Sequence, residues 1–155
     1  MVMCVSSIKD FEIIEEYTAD VAFIAYGNNL EELFINAARA LTAIQVDLGS
    51  IEPKECVDIS VESHDLLSLL RKWLEEFLYL RDTRQMFFGR ITDVSLNIKL
   101  TAEGDEKYVV MAKACGEIFD PKKHGGSVEI KAVSYHNMEI GCKEKTWYAR
   151  VLVDI

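Results

Sequence analysis

An aspartate at a break between two strand-like runs is where the chemistry of this chain could begin. Thr18-Ala19-Asp20 separates Phe11-Glu12-Ile13-Ile14 from Val21-Ala22-Phe23-Ile24-Ala25-Tyr26. A carboxylate at such a break either caps a turn or is aimed into a shared site. The sequence closes on Val151-Leu152-Val153-Asp154-Ile155, a further strand-like run carrying a side-chain carboxylate and then a main-chain one. Brought together, Asp20, Asp154 and the Ile155 carboxylate form an all-oxygen set suited to a hard divalent cation. The plainer reading makes Asp20 a turn residue and Asp154 a solvated end, because Asp is common at turns.

Two further stretches carry candidate chemistry. In Glu129-Ile130-Lys131-Ala132-Val133-Ser134-Tyr135-His136, period-two alternation puts Lys131 on one strand face with Glu129, Val133 and Tyr135. Pointed inward, its ammonium needs a carboxylate close by, since an unpaired buried charge is costly. Pointed outward, it is an ordinary lysine on a wet face. Phe119-Asp120-Pro121-Lys122-Lys123-His124 is the densest polar loop, with Asp-Pro as a turn former. Its lysines read as a solvated face or as a small positive patch for a partner's acid or phosphate.

Other chemistries lack their motifs. The glycines are scattered, and neither H-E-x-x-H nor G-x-S-x-G occurs. His64, His124 and His136 are far apart and read as polar surface or hydrogen-bonding residues rather than metal ligands. Cys4, Cys56, Cys115 and Cys142 form no C-x-x-C pair, which leaves a zinc site unsupported. They are expected as reduced thiols in a cytoplasmic protein without a signal peptide. A net charge of -9 argues against direct nucleic-acid binding, and no apolar run reaches membrane-span length.

The elements that must position these residues are legible from periodicity. At 155 residues the chain fits a single domain, 1–155, with a loose start over 1–9. Strands are expected over 11–17 and 21–26. Asn29 and Glu32 form a capping box ahead of an amphipathic helix over 30–45. A strand over 55–62 leads to a second helix over 65–81, whose broad apolar stripe marks it as the central buried one. Alternation over 94–100, then 108–115, 128–135, 138–142 and 146–153, gives further strands. Two helices and roughly eight mostly antiparallel strands make an α+β sandwich.

Together these pieces resemble the archease family over nearly the whole chain after the first ten residues. The matching segments are Tyr17-Thr18-Ala19-Asp20-Val21, the helix Trp73 to Leu80, Gly116-Glu117 with Asp120 to His124, Val128 through Ile140, and Arg150 to Ile155. The resemblance implies a non-enzymatic, metal-binding cofactor of an RtcB-type tRNA-splicing RNA ligase, which promotes the ligase's guanylylation and multiple turnover. It implies a calcium-type site at Asp20, Asp154 and Ile155, with Mg2+ or Mn2+ as alternatives, and a partner-activating lysine at Lys131. It does not fix the oligomeric state. Tyr17 stands where the family usually has His, so a titrating ring and potential ligand is lost there. Two other readings compete: a general chaperone-like modulator of nucleic-acid-processing proteins, and a carboxylate-based metal hydrolase that lacks a recognisable nucleophile or base.

Overall fold

The computed structural model describes residues 9–17 and 20–155, with the side chains of residues 15–17 left out. The strands are β1 (Phe11–Tyr17), β2 (Asp20–Gly27), β3 (Glu55–Ser63), β4 (Met86–Leu100), β5 (Glu106–Ile118), β6 (Ala132–Lys143) and β7 (Thr146–Asp154). The helices are α1 (Leu30–Gln45), α2 (Leu66–Arg84) and the single turn α3 (Pro121–His124). Apart from Lys9, the start expected to be loose lies outside the described residues, as do Thr18, Ala19 and Cys4.

Among the described residues the strands form two antiparallel sheets, ordered β1-β2-β7-β6 and β3-β5-β4. Both long helices lie between them. Helix α1 packs on β1, β2 and β7 on one side and β4 on the other, while α2 meets β6 on one side and β3, β4 and β5 on the other. The middle layer is therefore shared by two helices, where the apolar stripes single out only α2. Leu33, Phe34, Ala37, Ala38 and Leu41 of α1 are as deeply buried as Leu69, Leu70, Trp73 and Leu74 of α2. Small side chains on α1 let it bury two faces with a moderate stripe.

Local signals set the helix ends. Asn29 Oδ1 accepts from the Glu32 N–H at 2.8 Å, and the Glu32 carboxylate reaches back to Asn28 N at 3.3 Å. Asp65 caps α2 through the Ser68 N–H at 2.8 Å. This helix runs three residues past its expected end and stops at Gln85, whose φ of 56° makes the left-handed cap. Trp73 joins the layers: its Nε1 donates to the Phe34 carbonyl at 2.9 Å. Its ring lies 5.9 Å from that of Phe34 and 5.0 Å from that of Phe77.

Two departures come from the sheets. The strands expected over 128–135 and 138–142 are one strand, β6, with a register shift between Ser134 and Glu139 and a left-handed Asn137 at φ 57°. Seven described strands therefore stand where about eight are expected. Where β4 bulges beside Gly89, β5 passes so close that a Cβ on Gly116 would sit 1.9 Å from the Phe87 carbonyl oxygen. Gly116→Ala should therefore cost more than the ordinary ~1 kcal/mol of a point substitution. Urea unfolding of the variant checks this.

The cysteine expectation is corrected. Cys56 of β3 lies directly opposite Cys115 of β5, and the two are joined by a disulfide with Cα atoms 4.0 Å apart. The residues are 59 apart in sequence, so only the strand register brings them together. The cysteine pattern thus gives no argument for a reducing compartment. Cys142 is free and exposed. No described helix is long and apolar enough to cross a membrane.

Candidate metal and partner-activation site

The site candidates lie where one sheet ends. In the β2–β7 pair Asp20 faces Asp154, and in the β6–β7 pair Ala132 faces Asp154. Tyr17 faces Asp20 across β1–β2. Alternation then fixes the faces. Val21, Phe23 and Ala25 of β2, with Val153, Val151 and Ala149 of β7, point into the core. Asp20 and Asp154 therefore share the opposite face. Directly opposed residues hold their Cβ atoms about 4.5–5.5 Å apart, and opposed like charges repel. A cation between the two carboxylates would turn that repulsion into attraction.

Asp20 is half-buried and Asp154 exposed. Ile155 packs its side chain against the core cluster, which holds the main chain at its end in place. The Asp154 carbonyl oxygen accepts from the Lys131 N–H at 2.7 Å. The candidate oxygens for a cation are those of the Asp20 and Asp154 side chains and the Ile155 main chain. This all-oxygen set fits a calcium-type ion and supplies only part of its six to eight ligands. Among the described residues, no three or more His, Cys, Asp or Glu converge as a metal cluster.

Lys131 is not inside a strand. β6 begins one residue later, and Lys131 is exposed at the end of an irregular segment. Of Glu129, Lys131, Val133 and Tyr135, only Val133 is buried. The inward reading of the lysine therefore falls. Its backbone bond to Asp154 still sets it beside the paired aspartates. Tyr135 instead covers the start of α2, with the Arg71 guanidinium 4.0 Å from its ring centre.

The polar loop also departs from expectation. His124 is only 2% exposed and stacks on Phe119. Its Nδ1 accepts from the Asp120 N–H at 2.9 Å, and its Nε2 lies 3.2 Å from Glu117 Oε2. Lys123 is not a solvated cation: its ammonium lies 2.7 Å from Glu52 and 2.8 Å from buried Glu117. That leaves Lys122 as the exposed lysine of the pair, too little for an anion patch. No local spacing signals this cluster, because Glu117 belongs to β5 while Lys123 and His124 belong to α3.

Lys123, the Glu52 N–H and His124 hold the Glu117 carboxyl far below the ordinary carboxylate value of 4.5, at about 2. The folded state therefore resists protonation more than the unfolded chain does. The resulting stabilisation is complete above pH 4.5 and is lost as pH falls through about 2. Wild type should melt above Glu117→Gln at neutral pH, and the gap should close on acidification. A constant gap would show that the charge contributes nothing.

Paired helices enclosed by two antiparallel sheets, with aspartates opposed at one sheet end, define an α+β class seen in known proteins. The chain matches the family described as "Archease protein family (MTH1598/TM1083)" over residues 11–155. Protein archease of Pyrococcus furiosus is 43% identical over 141 residues, spanning 90% of this chain and 95% of that protein. Protein archease of Thermococcus kodakarensis is 40% identical with the same coverage. The solution structure of Methanobacterium thermoautotrophicum protein 1598 superposes with a TM-score of 0.71 at 34% identity, covering 96% of this chain and all of that one. A Thermotoga maritima crystal structure, described as an archease and possible chaperone, shares the fold at a TM-score of 0.55 and 22% identity, over 91% of this chain and 94% of that one. The chain belongs to the archease family.

Proposed function

We propose that this chain is a metal-binding protein cofactor that activates an RtcB-type tRNA-splicing RNA ligase, promoting its guanylylation and multiple turnover without itself being the ligase. The observation that carries the reading is the opposition of Asp20 and Asp154, with Lys131 bonded to the same Asp154 backbone. Asp20, Asp154 and Ile155 hold a divalent cation, Ca2+ first and Mg2+ or Mn2+ next. These residues would complete only part of a shell, so water, a partner's side chain or a nucleotide phosphate would fill the rest. A bound cation would supply positive charge at this sheet end, and the Lys131 ammonium beside it favours negative charge building up on a transferring phosphoryl group in a partner's site. The test is multiple-turnover RNA ligation by the cognate ligase with and without this protein. No stimulation of a ligase that stalls after one turnover would reject the reading.

A second reading has one observation behind it. Ile98 and Leu100, near the tip of the β4–β5 hairpin, are 57% and 75% exposed. Exposed apolar surface of that kind suits a chaperone-like contact, the role suggested for the Thermotoga maritima protein. Suppression of aggregation of unrelated proteins in the absence of metal would favour it.

A further inference from the structure

Residues 125–131 have no regular structure, so their backbone polar groups must find partners elsewhere. The part nearest the site is tied at three points. The Val128 N–H donates to the Gln45 carbonyl at 2.9 Å, at the end of α1. The Ile130 carbonyl accepts from Arg81 Nη1 at 2.8 Å, in the last turns of α2. The Lys131 N–H donates to the Asp154 carbonyl at 2.7 Å. Between these ties the Ile130 side chain is fully buried, a peg into the core.

Arg81 is the centre of this arrangement. Its Nη1 also donates to Gln45 Oε1 at 2.7 Å, and its Nε donates to Asp82 at 2.9 Å. Gln45 is buried and is itself held by its Nε2 donating to the Leu41 carbonyl at 3.1 Å. A planar guanidinium serves three acceptors in fixed directions, which a lysine ammonium on a flexible stem does not. Packing fixes the segment only through Ile130, because a pocket of about 460 Å³ opens beside Val128 and Glu129. It is lined in part by Gln45, Arg81, Val128 and Glu129.

We propose that Arg81, braced by Gln45, is a positioning residue that sets Lys131 and the Asp154 main chain for partner activation. The proposal rests on the ligase-activator reading. Arg81 touches neither the cation nor the partner in this scheme; it acts through the 128–131 segment. Nothing in the local sequence marks it, since it reads only as the basic end of an amphipathic helix.

The discriminating variant is Arg81→Lys, which keeps the charge and the helix but loses the fork. Three readouts are taken on the intact protein: hydrogen exchange at the Lys131 amide, Ca2+ affinity by calorimetry, and maximal stimulation of the cognate ligase at saturating variant. The proposal expects Lys131 exchange to quicken and Ca2+ binding to weaken, each on the order of tenfold. It also expects a similar fall in maximal stimulation with little change in the half-saturating concentration. Unchanged Lys131 exchange would overturn it, as would faster exchange with wild-type Ca2+ affinity and stimulation. A drop in melting temperature with those three readouts intact would reduce Arg81 to a structural role and also overturn it. If wild type itself fails to stimulate the ligase, the activator reading falls, and positioning by Arg81 is judged on exchange and Ca2+ affinity alone.

Discussion

Asp154→Ala should abolish stimulation of the ligase while leaving the protein as stable as wild type in the absence of metal. Asp154 is exposed, and substitutions at such positions change stability by about 0.5 kcal/mol or less. The metal-free variant should therefore melt level with wild type. The cation is a different matter. Loss of groups that merely orient metal ligands costs about 10–100-fold in affinity, so loss of a ligand should cost on the order of 100-fold or more. Wild type should therefore gain melting temperature on addition of Ca2+, and the variant should not. Asp20→Ala should behave alike, because Asp20 of β2 lies directly opposite Asp154. Ligation assays and melting curves with and without Ca2+ measure both halves. Full stimulation by either variant would remove the carboxylates from the mechanism.

The second large effect is on the fold. Trp73→Ala should destabilise by about 3–5 kcal/mol, the usual cost of truncating a fully buried aromatic. Against a total of about 5–15 kcal/mol for a domain of this kind, that is a large share. The cause is specific: Trp73 fills the space between α1 and α2, touches the Phe34 and Phe77 rings and donates to the Phe34 carbonyl. Trp73→Phe should lose less, because much of the ring packing survives and only the hydrogen bond and part of the volume go. Urea unfolding should show a lower midpoint with an unchanged slope. A loss under about 1 kcal/mol for the alanine variant would mean that the helices are not packed through this residue.

What could be read in the sequence was what depends on local spacing. The Asn29 cap, the α1 stripe from Leu30 to Ile44 and the Trp73 face of α2 follow from periods of three and four residues. The strand-like run that follows Asp20 and the one that carries Asp154 near its end were also visible. What escaped depends on register between distant segments. Cys56 and Cys115 look like unrelated thiols until β3 and β5 are aligned. Lys131 fits a strand pattern, but the strand begins at Ala132 because the preceding backbone is drawn to Gln45, Arg81 and Asp154. His124 reads as a surface or hydrogen-bonding residue; the hydrogen bond is there, but its burial escapes because nothing nearby in sequence announces that Glu117 is buried. Tyr17 faces Asp20 across the β1–β2 pair. Substituting His there and repeating the Ca2+ titration would ask what that ring contributes.

The most direct test of the central claim is a Ca2+ titration of isotopically labelled protein followed by amide NMR. Saturable shifts should appear at Asp20, Lys131, Ala132 and Ile155, and Asp20→Asn should remove them. Shifts absent from this sheet end, or unchanged in the variant, would contradict a cation held between Asp20 and Asp154.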